Sequence, residues 1–190
     1  MSVKGSSLVL TESSMVEASD ETEVGRGVRC YDCYDVTIVN NKFKQLHGKR
    51  GGAVYLENCR SSRIFSNEFL ECSAEQGGGL YLYHSEVSVR QNRFRENKAI
   101  ANGHFERNPG KDHEGAGAAI FFTCVNLQDS NSYYNPREHY DYLGNHMYSD
   151  AYLDNPTCDV DIADNEFEFN EAEGKGGALM YTNANFTDSG

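Results

Sequence analysis

Tryptophan is absent from the 190 residues, proline occurs only 3 times, and lysine plus arginine total 17 against 29 acidic residues. Each shortage excludes something. With so little proline and 18 glycines spread through patterned sequence, the chain is ordered protein and not a low-complexity tail. A formal net charge of -12 repels phosphate backbones and anionic headgroups, so no nucleic-acid partner and no direct membrane insertion are expected. Nor is there a run of about 18 apolar residues, and "MSVKGSSLVL" lacks the apolar stretch of a secretory signal. The six histidines form no H-x-x-x-H pair, and no G-x-S-x-G or phosphate-loop pattern occurs. "CYDC" has C-x-x-C spacing, but strand alternation sends Cys30 into a core and Cys33 to a turn, which is poor geometry for a redox or metal pair.

What is present is repetition. "GRGVRCYDC" at Gly25, "GGAVYLENC" at Gly51 and "GGGLYLYHS" at Gly77 begin 26 residues apart, and "GAAIFFTCV" at Gly117 and "GGALMYTNA" at Gly176 fit the same template after insertions. "LVLTESSM" reads as a degenerate copy of "VTIVNNKF". Each copy holds two runs of period two. In one, Val28 and Cys30, Val54 and Leu56, Leu80 and Leu82, Ile120 and Phe122, and Leu179 and Tyr181 share one face. In the other the inward residues are Val36 and Ile38, Ser62 and Ile64, Val87 and Val89, and Val160 and Ile162, followed by Phe43, Phe69, Phe94 and Phe167.

A unit this short with no helical period cannot close a core alone, so it must stack on copies of itself about 4.8 Å away. The expected fold is all-β, a right-handed parallel β-helix of about 5–6 coils spanning residues 1–190. A β-sandwich is the alternative, but its strands would not keep a 26-residue register. Glycine pairs supply one corner, and Asn41, Asn67, Asn92 and Asn165 are expected to stack as an amide ladder at another.

"FREN" at Phe94 and "FEFN" at Phe167, together with "GGAV", "GGGL", "GAAI" and "GGAL", resemble the F-x-x-N and G-G-A-[ILV] repeats of chlamydial polymorphic outer-membrane proteins. In two copies the last residue of F-x-x-N is instead Leu46 or Cys72. The resemblance implies a secreted or surface-exposed structural or adhesive protein. It also implies a segment of a longer chain whose partners are neighbouring segments, other copies or glycans.

β-Helix folds also carry polysaccharide lyases and hydrolases, so chemistry must be sought at particular residues. The signatures N-T-D, D-D, G-H-G and R-I-K are absent, and a non-catalytic role is expected; a polysaccharide-acting enzyme or carbohydrate-binding module is the alternative. No cofactor is expected. Carboxylate-dense "DVDIADNEFEFNE" fails the EF-hand spacing, which leaves calcium there as a minor alternative.

Two insertions interrupt the template, at about 99–116 and 125–157. The second holds Tyr133, Tyr134, Tyr140, Tyr142, Tyr148 and Tyr152, candidates for a binding loop because tyrosine offers large contact area at small entropic cost. Tyr55, Tyr81, Phe121 and Met180 fall at equivalent outward positions and should form an exposed aromatic stripe. Cys124 and Cys158 bracket the second insertion at template positions two residues apart, within disulfide reach; Cys33 and Cys59, at one turn position of successive coils, are a second candidate pair. "NFT" at Asn185 is an N-glycosylation sequon, consistent with an extracellular address.

Overall fold

The computed structural model describes residues 1–19, 24–101, 115–123, 159–182 and 185–187. Among them there is no helix, and the chain winds round one axis, laying a strand in each of three parallel sheets per turn. One sheet stacks Ser2–Lys4, Val28–Tyr31, Val54–Glu57, Leu80–Tyr83, Ile120–Thr123 and Leu179–Thr182. The second stacks Leu8–Thr11, Val36–Val39, Ser62–Phe65, Val87–Arg90, Asp159–Ala163 and Asn185–Thr187. The third contains Ser14–Ser19, Lys42–His47, Glu68–Leu70, Arg93–Arg95 and Glu166–Glu168, extended by Ser73–Ala74, Lys98–Ala99 and Glu171–Ala172.

Pairing is in register, so each residue sits on its counterpart one coil away. Leu10, Ile38, Ile64, Val89 and Ile162 form one interior column, as the repeat predicts. Buried Phe43, Phe69 and Phe94 form another, continued by exposed Phe167 in the last coil, with ring centroids 5.0, 4.7 and 5.2 Å apart and planes within 10°. The rings are parallel because coil spacing leaves room for little else, and each fully buried Phe contributes about 2–3 kcal/mol of transfer energy.

The expected asparagine ladder is present and extends one coil further, to Ser13. Each Oδ1 accepts the backbone N–H of the preceding coil, at 2.9 Å for Ser13 to Asn41, Asn41 to Asn67, Asn67 to Asn92 and Asn92 to Asn165. Each Nδ2 donates to the next Oδ1 at 3.0 Å in the three Asn–Asn steps, and Asn67 Nδ2 also donates to Phe65 O and Ile38 O. The residue before each rung, Asn40, Ser66, Gln91 or Asp164, is left-handed at φ 54–56° and turns the chain so that the amide points inward.

Two further corners repeat this device. In one, Cys72, Asn97 and Asn170 follow left-handed Glu71, Glu96 and Phe169, with Asn97 Nδ2 donating to Asn170 Oδ1 and Cys72 N–H donating to Asn97 Oδ1. In the other, Cys33, Cys59 and Ser85 follow left-handed Asp32, Asn58 and His84. Cys59 N–H donates to Ser85 Oγ. A thiol therefore occupies a rung that an amide or hydroxyl fills elsewhere, and it bonds alike: Cys72 Sγ donates to Leu70 O and Phe43 O, two and 29 residues back, as Asn67 Nδ2 does to Phe65 and Ile38.

Glycine is required at the fourth bend. Gly51 has φ 58°, and a Cβ there would collide with Val54 O.

Since Asn97 and Asn170 already occupy the rung of Cys72, Cys72→Asn should lengthen that amide ladder and raise stability by about 1 kcal/mol, while Asn67→Ala orphans the buried Asn41 N–H and should lower it by about 2–3 kcal/mol. Denaturant midpoints check both, and a midpoint for Cys72→Asn at or below that of the parent sinks the equivalence of the rungs.

Candidate functional site

On the outer side of the second sheet, side chains from four coils border an open groove of 450 Å³ lined by Asp35, Ser61, Ser62, Arg63, Glu86, Val87, Ser88, Asp159 and Asp161. Left-handed Asp35 and Ser61, at φ 56° and 49°, turn the chain into this sheet at the groove's edge. Asp161 Oδ2 accepts from Arg90 Nε at 2.8 Å, Arg90 Nη2 at 2.6 Å and Ser88 Oγ at 3.2 Å. Asp35 Oδ1 pairs with Arg63 Nη2 at 3.3 Å, on the surface. Glu86 and Asp159 have no ion-pair partner among the described residues. Carboxylates next to a guanidinium and three serines can accept and donate hydrogen bonds to a polar ligand.

The three-sheet coil with this groove on its flank is matched by a family model described as "Right handed beta helix region", over residues 26–189. The chain belongs to that family. No curated protein and no solved structure matches it significantly. Handedness therefore agrees with the expectation from parallel crossovers.

The aromatic stripe is not exposed. Tyr55, Tyr81 and Phe121 are only 5, 2 and 0% accessible and form a small core outside the coil with Ala116, flanked by Val24, Tyr31, Tyr83 and Met180. Tyr31, Tyr55, Tyr81 and Phe121 stack with centroids 5.6, 5.2 and 5.4 Å apart. The correction has a local cause. The residues before the bend glycines, Val24, Arg50, Gln76 and Ala116, pair in a ladder of their own. The left-handed glycines bring the backbone against the ring bases, so a Cβ on Gly51 or Gly117 would lie 3.1 Å from Tyr81 Cβ or Phe121 Cβ. The Arg50 guanidinium lies 5.6 Å from the Tyr81 ring centroid. Burial pushes the Tyr81 phenol up to about 12 and raises that of Tyr55, which donates to Glu57 Oε2 at 2.7 Å. These rings are scaffold, not a platform for sugars.

The Cys33–Cys59 pair is a second correction: both are free thiols, as are Cys30 and Cys72. Cys33 Sγ donates to Tyr31 O at 3.3 Å and Cys59 Sγ to Glu57 O at 3.4 Å, so each thiol serves its own corner rather than its neighbour. Burial pushes the Cys59 and Cys72 thiols up to about 12 and raises Cys30 further, which keeps all three protonated and unreactive.

The carboxylates of "DVDIADNEFEFNE" turn largely to cations: Asp161 to Arg90, Glu166 and Glu168 to Arg93, and Glu171 to Lys98. Among the described residues no cluster of three or more His, Cys, Asp or Glu is placed to hold a metal ion. Tyr133, Tyr134, Tyr140, Tyr142, Tyr148, Tyr152, Cys124 and Cys158 lie outside the described residues. Asn185 stands in register with Asp159, and only its backbone position is described. Asp35 and Glu86 of the groove were not singled out from sequence. They sit at turn-and-strand junctions of different coils, and only their equivalent offsets from the strands that follow could have signalled them.

Two outcomes follow. Tyr81→Ser should lower stability by about 3–5 kcal/mol, as deletion of a core aromatic does, and a fully stable variant would restore the exposed stripe. Because folding raises buried thiols and phenols from about 9 and 10 to about 12, the native state holds protons that the unfolded chain has lost between those values; stability should be steady at neutral pH and fall as pH rises from 9 towards 12. Denaturation curves across that range test the sign.

Proposed function

We propose that the chain is a non-catalytic, structural or adhesive β-helix segment of a secreted or cell-surface protein, acting through its stiffness and its outer faces against neighbouring segments, other copies of itself, or glycans. One observation carries this reading. Among the described residues, charged side chains on the outer faces pair from coil to coil along the columns. In the column Lys42, Glu68, Arg93, Glu166 the charge alternates at every rung, with contacts of 2.7 Å for Lys42–Glu68 and 3.3 Å for Arg93–Glu166. The corner asparagines are likewise committed to ladders. The likeness of F-x-x-N and G-G-A-[ILV] to the chlamydial surface repeats supports the address.

The groove on the second sheet supports a second reading, a polysaccharide-acting enzyme or carbohydrate-binding module with Glu86, Asp159 and Asp161 as its polar floor. One experiment separates them. The purified chain is incubated with neutral and acidic soluble polysaccharides while new reducing ends and unsaturated uronate absorbance are followed. The structural reading expects neither signal. Turnover that disappears in Asp161→Asn or Glu86→Gln would overturn it in favour of the enzyme.

A further inference from the structure

On the outer side of the third sheet one column reads Ser19, His47, Ser73, Lys98 and Glu171, each in register with the next. Ala74 and Ala99, the following residues, are buried, so alternation turns Ser73 and Lys98 outward. His47 Nδ1 and Ser73 Oγ stand 2.7 Å apart in a partly buried contact. On the far side of Ser73, Lys98 Nζ is held 3.5 Å from Glu171 Oε2. We infer that Ser73 is a covalent acylation site, taking acyl groups from activated donors of the thioester or aryl-ester class with His47 as its base.

A serine hydroxyl is a weak nucleophile until a neighbouring base takes its proton. In the tautomer protonated at Nε2, His47 Nδ1 accepts the hydroxyl hydrogen of Ser73. Ladder register, not a loop, fixes the two residues on adjacent rungs about 4.8 Å apart, so the contact is preorganised. Lys98 stands one rung further on and carries positive charge within the same column, its Nζ paired to Glu171. The step balances without any redox partner. The Oγ–C bond forms as the donor's C–S or C–O bond breaks, and the hydroxyl proton passes to His47 Nδ1 and then to the departing thiolate or aryloxide. The product is an ester on an otherwise structural face.

The test uses the intact chain and p-nitrophenyl acetate at neutral pH. Nitrophenolate release is followed, acetyl groups are mapped by peptide mass spectrometry, and hydroxylamine separates serine esters from lysine amides. The expected product is one hydroxylamine-labile acetyl at Ser73, formed about a hundredfold faster than at Ser88, a serine whose neighbour is Asp161 rather than an imidazole. Ser73→Ala should remove it. His47→Gln, which keeps an acceptor but loses the base, should slow it about a hundredfold. The column already holds Ser, His, Lys and Glu, so neither change should disturb folding, and the comparison of Ser73 with Ser88 in the parent chain decides the matter without them. Acetyl found only on amines, or on Ser73 at the Ser88 rate or at a rate unchanged by His47→Gln, overturns the inference.

Discussion

Everything in this molecule depends on in-register stacking at about 4.8 Å, which places every side chain on its own equivalent one coil away. The consequence differs with environment. Inside, like on like is favourable: aliphatic on aliphatic, Phe on Phe, and amide on amide, because an amide both donates and accepts along the axis. Outside, like on like would place identical charges one rung apart. The column Lys42, Glu68, Arg93, Glu166 avoids that by changing sign at each coil. Sequence identity between repeats is thus demanded in the core and opposed on the charged faces, which is why the repeat is visible in some positions and invisible in others.

Corners obey a second constraint. A turn inside a closed coil leaves buried backbone N–H and C=O groups that water cannot reach, and they must be satisfied by an inward side chain. Asparagine does this most fully, but the requirement is for a small donor placed after a left-handed residue. Ser85, Cys33, Cys59 and Cys72 meet it with a hydroxyl or thiol. The cysteines of this chain therefore belong to turn chemistry, and their protonated, buried state follows from being S–H donors in a dry interior.

The same stacking rule bears on the outer faces. A flat sheet presents chemistry only where a column departs from pairing, and two such departures stand out: the groove where Glu86 and Asp159 have no cation among the described residues, and the rung where an imidazole meets a hydroxyl. Neither is built from a local motif. His47 and Ser73 are 26 residues apart and Asp35 and Asp161 much further, and each set is assembled only by register.

The sequence by itself determined the coil. Glycines spaced by 26, alternating apolar residues and one asparagine per turn permit a single periodic solution, because the period in the chain is the period in space. It equally determined the asparagine ladder and the interior columns as far as the last coil, where Phe167 and Tyr181, expected inward, are exposed. What tertiary structure alone decided was the outside. Tyr55, Tyr81 and Phe121 point away from the axis as alternation requires, yet they are buried, because the bend ladder from Val24 to Ala116 packs beside them. Cys33 and Cys59 share a turn position as the spacing requires, yet each thiol bonds to a backbone carbonyl two residues back in its own corner. Alternation gives the direction in which a side chain leaves the strand; which groups it meets there depends on backbone from other coils, which no local pattern encodes.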